Sequence, residues 1–170
     1  MPLAKEALTA SNVKVCTVIG FPLGSMTTKA KVYETKNAIK IGADEIDMVL
    51  NISQLKAKNF DYVINEINQV KAKCKGKVLK VIIETCLLTD EQKIDACNCV
   101  NKSNADFIKT STGFSTGGAT VADVELLRKY TLATKKVKAA GGVRTKKDLE
   151  NMVKVGAERI GTSRGVDLFK

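Results

Sequence analysis

Three helix exits in this chain share one construction. Gly42-Ala43-Asp44, Asn104-Ala105-Asp106 and Gly156-Ala157-Glu158 each place a Gly or Asn, a small residue and an acid directly before an apolar run. Gly and Asn are the residues that accept the left-handed position closing a helix. A helix, a cap and a strand recurring at roughly 30 residues is the pattern of β/α units feeding a parallel sheet.

The apolar runs predict strands at residues 13–20, 45–51, 78–85, 106–111, 137–140 and 159–162. Helical periodicity predicts helices over 27–41, 60–72, 89–103, 120–133 and 145–155. The second carries Phe60, Val63, Ile64, Ile67 and Val70 on one face; the first places Val32, Ala38 and Ile39 on one face. Thr89 with Gln92 forms a capping box, and Thr120 with Asp123 and Thr145 with Asp148 repeat the hydroxyl-then-acid spacing.

The chain has 170 residues, which fits a single domain spanning 1–170. An eight-unit barrel usually needs about 250 residues and at least about 200. Six units therefore leave two α/β architectures open: an open doubly wound sheet, or a (β/α)8 barrel with about two units missing.

Parallel strands covered on both faces normally read as continuous apolar runs. Here Asp47 interrupts Glu45-Ile46-Asp47-Met48-Val49, Glu84 ends Val81-Ile82-Ile83-Glu84, Lys109 follows Phe107-Ile108, and Lys138 sits between Val137 and Ala139. A buried ion without a partner is very costly, so these groups must pair, curl to solvent or meet a pocket. In parallel α/β proteins that pocket lies at the carboxyl ends of the strands. Two lysines aimed into one pocket suit Schiff-base chemistry, because a second cation or burial lowers the pKa of an amine and frees its lone pair. Asp47 could then move protons on the bound carbon skeleton.

Three Gly and hydroxyl segments also follow strands: Thr110-Ser111-Thr112-Gly113, Gly141-Gly142-Val143-Arg144 and Gly161-Thr162-Ser163-Arg164. Backbone amides of such turns bind phosphate, and the last two barrel loops are its usual cup. Phe114-Ser115-Thr116-Gly117-Gly118 continues the first segment as a mobile loop over the site or a plain connector.

The chain contains no His, which excludes Ser-His-Asp triads, Cys-His pairs and His-ligated metal or haem. Acid–base work must fall to Lys, Asp, Glu, Tyr or Cys. Lys and Arg exceed Asp and Glu by 28 to 18, a net charge of +10, but only Arg128, Arg144, Arg159 and Arg164 are arginines. Lysines mixed with acids read as a solvated surface, and the positive field suits small phosphorylated substrates rather than nucleic acid. Cys16, Cys74, Cys86, Cys97 and Cys99 show no C-x-x-C spacing, so neither zinc nor a disulfide framework is expected, and reduced thiols fit a cytoplasmic protein. No apolar run approaches the roughly 20 residues of a membrane span, and no secretory signal pattern opens the chain.

Six separate blocks resemble deoxyribose-phosphate aldolase, in that family's order and at compatible spacing. They are Lys109-Thr110-Ser111-Thr112-Gly113-Phe114 with the following Ser115 to Thr120, Val15-Cys16-Thr17-Val18-Ile19-Gly20-Phe21-Pro22, Asp44-Glu45-Ile46-Asp47, the stretch 80–88, Lys138-Ala139-Ala140-Gly141-Gly142-Val143-Arg144-Thr145, and Arg159-Ile160-Gly161-Thr162-Ser163. The resemblance implies a (β/α)8 class I aldolase that reversibly cleaves 2-deoxy-D-ribose 5-phosphate to D-glyceraldehyde 3-phosphate and acetaldehyde, without metal or organic cofactor. It implies Lys109 as the Schiff-base lysine, Lys138 as the neighbouring cation, and Asp47 as a proton shuttle through water. It implies phosphate contacts at Thr112, Gly113, Gly141, Gly142, Thr162 and Ser163.

Against the family pattern, the Asp-His-Thr strand and the Cys-Val-Asn-Pro strand end have no counterpart, and Met1-Pro2-Leu3-Ala4-Lys5 matches the start of the helix after the second strand. The family's C-terminal segment is cut short after Phe169-Lys170. The six strands would then be the third to eighth of the barrel. Two exposed edges would favour association, with a homodimer expected. The alternative is a non-catalytic relative that binds phosphorylated sugars without turning them over.

Overall fold

The computed structural model describes residues 1–169; Lys170, the last residue of the expected domain, lies outside the described residues. The elements run α1 (Pro2–Ala7), β1 (Cys16–Ile19), α2 (Thr28–Lys40), β2 (Glu45–Val49), α3 (Ile52–Lys56), α4 (Phe60–Lys73), β3 (Val78–Ile82), α5 (Asp90–Lys102), β4 (Phe107–Lys109), α6 (Val121–Tyr130), β5 (Lys136–Ala140), α7 (Lys146–Lys154) and β6 (Arg159–Gly161). Short 3-10 turns cover Thr85–Leu87 and Asp167–Phe169. The strands form one parallel sheet in the order β1-β2-β3-β4-β5-β6 among the described residues. A doubly wound sheet reverses its order at a switch point, and this one never does, so the winding is that of a barrel.

The sheet is curled into a half-barrel. Arg159 on β6 reaches Glu45 on β2 at 3.0 Å. Four strand spacings of a flat sheet would hold those strands about 19 Å apart, beyond the joint reach of the two side chains. Alternate strand positions divide the work. Ile46, Met48, Leu79, Val81, Ile108, Val137 and Ala139 are fully buried in the layer between sheet and helices. The intervening positions face the concave side and carry the charges.

Five of the seven helices among the described residues start where a hydroxyl or amide side chain takes an unpaired N–H; α1 and α4 have no such cap. Thr27, Asn51, Thr89, Thr120 and Thr145 all accept from the residue three positions on. The full reciprocal box forms at Thr89 and Thr145. At Thr120 only half of it forms, because Asp123 turns to Lys93 of α5 at 2.6 Å and ties two helices together. The short α3 was not expected; it spans one turn and a half, too short for periodicity to register, and its signal is the Asn51 cap alone.

The apolar stripe expected on α2 is displaced. Lys31, Thr35 and Ala38 are the buried positions, while Val32 and Ile39 pack at the margin of the core. Lys31 is completely buried, bonded to Glu66 of α4 at 2.8 Å and to the Val49 carbonyl at 2.9 Å. It is therefore a core lysine rather than part of a solvated surface. Its charge is tolerated because both partners are buried with it.

The repeated helix exits act at the opposite end of the sheet from the Gly turns. Ala43 and Ala157 donate to Ala38 and Met152 carbonyls at 3.0 and 2.9 Å, closing α2 and α7 over left-handed Gly42 and Gly156. The middle exit differs. Ser103 ends α5 in extended backbone, and Asn104 donates to the Asn68 side chain at 2.8 Å without turning left-handed. In all three, the acid's N–H joins the neighbouring strand: Asp44 to Val15, Asp106 to Leu79 and Glu158 to Val137. The carboxylates of Asp44 and Asp106 also accept from Val15 and Leu79 N–H, so each acid clamps a strand start from both sides. The Lys5 ammonium, at 2.7 Å, together with the Val15 amide holds Asp44 well below the usual carboxylate range.

A carboxylate with a depressed native pKa stabilises above its unfolded value, and that stabilisation is lost as pH falls. Asp44→Asn should therefore lower the melting temperature at neutral pH. The gap from the parent should narrow below about pH 4, where the unfolded carboxylate protonates. Thermal denaturation of both proteins across pH 3–7 checks this; a gap that does not change with pH would contradict it.

Candidate active site

Strand register brings the flagged charges together. Asp47 on β2 lies beside Lys80 on β3, and Lys109 on β4 lies beside Lys138 on β5. The curl then folds the second pair over the first. Asp47 Oδ2 accepts from Lys109 Nζ and Lys138 Nζ, each at 2.8 Å, and Oδ1 accepts from Lys80 Nζ at 2.8 Å. The Cys16 thiol on β1 also donates to Oδ1, at 3.3 Å. Lys80 continues to Glu45 at 2.6 Å, and Glu45 to Arg159. The Phe107 ring fills the space between, with the Lys80, Lys136 and Arg159 cations 5.7–5.9 Å from its centroid.

One carboxylate shifts two lysines in opposite directions. Burial pulls Lys80 down, but Asp47 and Glu45 outweigh it and raise the amine. Burial also pulls Lys109 down; Asp47 opposes, Lys138 adds to the fall, and the net value lies below that of an ordinary lysine. The difference is one of sharing, since Lys80 has two carboxylates and Lys109 has part of one. Burial pushes Asp47 upward, yet Lys109, Lys138 and Lys80 hold it ionised well below the usual carboxylate range.

Above this floor opens a cleft of about 730 Å³. Lys109, Lys138, Thr112, Gly113, Gly141, Gly142, Thr162 and Ser163, all singled out from the sequence, line it. Asp47 lies beneath, 2% exposed. Gly118 admits no side chain, since a Cβ there would lie 2.5 Å from the Gly141 carbonyl; the loop after β4 thus seats directly on the turn after β5. Arg144 and Arg164 stand exposed at the rim. No Asp or Glu lines the cleft among the described residues. Nor could any cluster of three or more His, Cys, Asp or Glu side chains among them hold a metal ion.

Three participants carried no site assignment from sequence. Lys80 interrupts Val78-Leu79-Lys80-Val81-Ile82 just as Asp47 interrupts its strand, so the same criterion finds it. Glu45 and Arg159 stand at strand starts, where a charge normally reaches solvent, and only the curl pairs them. Glu84 does not curl to solvent: it is 2% exposed and accepts the Thr112 N–H and hydroxyl.

Residues 3–169 match the model of the DeoC/LacD family aldolases. The chain is 58% identical over 167 residues to the deoxyribose-phosphate aldolase of Malacoplasma penetrans (strain HF-2), covering 98% of this chain and 75% of that one. It is 55% identical over 168 residues to the enzyme of that name from Finegoldia magna, covering 99% and 79%. Among solved structures it is similar to the aldolase QR15, with a TM-score of 0.91 and 40% identity over 98% of this chain and 76% of the other. It is also similar to the tetrameric deoxyribose phosphate aldolase from Aeropyrum pernix, with a TM-score of 0.87 and 34% identity over 98% and 70%.

Replacing Asp47 by Asn would leave three buried or half-buried ammonium groups facing a neutral amide. Removing one partner of a buried ion pair typically costs about 3–5 kcal/mol. Urea denaturation of Asp47→Asn should show a loss of that order. Amine-selective labelling of Lys109 should also begin at lower pH than in the parent, because the group that most raises its pKa is gone; unchanged labelling would count against the shared-carboxylate account.

Proposed function

The chain belongs to the DeoC/LacD family of aldolases, and from that premise we propose that it is a class I lyase acting on 2-deoxy-D-ribose 5-phosphate. The observation that carries the reading is the pair of amines on one Asp47 oxygen at the floor of a cleft walled by Gly turns. Burial and the Lys138 cation favour the neutral form of Lys109, which is the form that attacks a carbonyl.

In this mechanism Lys109 adds to C1 of the open-chain sugar and water leaves, giving an iminium. A base removes the proton of the C3 hydroxyl, the C2–C3 bond breaks, and its electron pair passes into the iminium to form an enamine. Glyceraldehyde 3-phosphate departs. The enamine takes a proton at C2, and water hydrolyses the resulting iminium to acetaldehyde and free Lys109. Asp47, ionised below the amines, serves the proton transfers through a water, and Lys138 is the second cation. The phosphate lies against Gly113, the Gly141–Gly142 turn and the Thr162-Ser163 turn. Thr112 shapes its own turn, because its N–H and hydroxyl face Glu84. Arg144 and Arg164 at the rim add attraction for the dianion. No organic cofactor enters these steps.

Five free thiols suit a reducing compartment such as the cytoplasm. The unpaired edges of β1 and β6 support association between copies.

Incubation with acetaldehyde and borohydride should leave a reduced adduct on Lys109, located by peptide mapping. Lys109→Arg should give no adduct and background turnover, since guanidinium stays protonated and cannot add to a carbonyl. A folded parent chain without the adduct would count against the reading and favour a relative that only binds the sugar phosphate. Adduct formation should rise with pH as Lys109 deprotonates. In Lys138→Met that rise should move to higher pH, because a cation has been removed and Asp47 Oδ2 is left to Lys109; a move to lower pH would contradict the assigned role of Lys138.

A further inference from the structure

We infer that Glu84 is a positioning residue: by holding the turn after β4 it sets how strongly the cleft prefers a phosphorylated sugar over its unphosphorylated counterpart. The inference rests on the reading of the site given above and deepens it.

Glu84 ends the apolar run of β3, and its backbone takes φ 54°, ψ 69°, the left-handed region that a residue with a side chain disfavours. The residues on either side of it are tied to β4. Ile83 N–H donates to the Lys109 carbonyl at 3.0 Å, and Thr85 N–H to the Thr110 carbonyl at 2.9 Å. Held between these bonds, the kink directs the carboxylate to Thr112. There it accepts the N–H at 3.2 and 3.3 Å and the hydroxyl as well. With its proton committed to Glu84, the Thr112 hydroxyl oxygen accepts the Phe114 N–H at 3.0 Å. The Phe114 ring then packs edge-on against Phe21 of the loop after β1, centroids 5.3 Å apart.

Gly113 sits between the two fixed residues at φ 84°, facing the cleft beside Gly141 and Gly142. A carboxylate placed in the cleft itself would repel a phosphate monoester. Set behind Thr112 rather than in the cleft, Glu84 holds the turn: it fixes where the Gly113 wall stands relative to the turn after β5. The part of the site that binds a neutral sugar, around Lys109 and Asp47, is held by other bonds and does not depend on it.

Calorimetric titration of the full chain with 2-deoxyribose 5-phosphate and with 2-deoxyribose tests this without requiring turnover. Glu84→Gln keeps the shape but replaces one acceptor oxygen by a donor facing Thr112. It should weaken binding of the phosphorylated sugar by about tenfold, the usual size for loss of a charged hydrogen bond, and change the unphosphorylated one by less than about twofold. Thr112→Val should do the same. The double variant should be no worse than the weaker-binding single one, because both act through one contact. Borohydride trapping of acetaldehyde on Lys109 should persist in Glu84→Gln. Additive losses, equal losses for both sugars, or unaltered phosphate selectivity in a folded Glu84→Gln would each overturn the inference. If circular dichroism shows Glu84→Gln unfolded, Glu84→Asp, which keeps the charge but draws the carboxylate back from Thr112, decides: selective loss of the phosphorylated sugar supports the inference, and no loss refutes it. Normal selectivity losses in a chain whose Lys109 cannot be trapped would leave the inference standing and remove the Schiff-base reading instead.

Discussion

Asp47 is the group on which the inner face of the sheet depends. Three amines on three successive strands converge on its two oxygens; it is the carboxylate that Lys109 and Lys138 share, while Lys80 also has Glu45. A barrel interior is normally filled by layers of branched apolar side chains. Here much of that space holds a lattice in which two carboxylates, Glu45 and Asp47, face four cations, Lys80, Lys109, Lys138 and Arg159. The excess of positive charge has a direction. Glu45 is occupied at the strand starts, so the unbalanced cations lie toward the carboxyl ends, under the Gly turns. The arrangement that makes one lysine a stable structural cation makes its neighbour a weaker one.

The acids at the strand starts and those inside the curl serve different purposes. At the strand starts, Asp44, Asp106 and Glu158 are accessible to solvent in part and spend their acceptors on backbone N–H groups or surface cations. They locate the strands relative to the preceding helices. Inside the curl, Asp47 in the middle of β2 and Glu84 just beyond β3 are almost fully covered and accept from side-chain amines and from the Thr112 turn rather than from strand starts. Lys31, equally buried, does hold a strand: its bond to the Val49 carbonyl anchors the carboxyl end of β2 from outside the curl.

The fold was legible because its units are local. Caps at Thr27, Thr89, Thr120 and Thr145, and Gly42 and Gly156 at the exits, are each recognisable within four residues, and every expected strand and the five expected helices between them are found within, or one residue beyond, the expected ranges. Five of the six strands came out shorter than the apolar runs, 16–19 against 13–20 for β1, where Val13 and Lys14 stand exposed outside the ladder, while β5 gained Lys136 at its start. The site was legible for a different reason: a charge inside an apolar strand is anomalous at once, and Asp47, Lys109 and Lys138 all stand out this way. The missing parts depend on three-dimensional pairing. Lys31 looks like any surface lysine until Glu66, 35 residues away, is brought beside it. Arg159 and Glu45 are 114 residues apart and meet only through the curvature of the whole sheet. Asn104 shows the limit of motif reading, since a residue that tolerates a left-handed cap need not adopt one.

The strand order gives the sheet the character of a linear stack. Among the described residues every strand pairs only with its sequence neighbours, as in a solenoid, so unit-by-unit stability would ordinarily leave the terminal strands free to fray independently of the middle. The Glu45–Arg159 bridge works against that independence. It ties the second strand to the sixth without passing through those between, so melting the last strand also uncovers a carboxylate beside Lys80 near the first. With the Asp47 bonds from β4 and β5, this ion pair makes an end effect a property of the whole array, and cooperative unfolding gains a support that strand pairing alone does not supply.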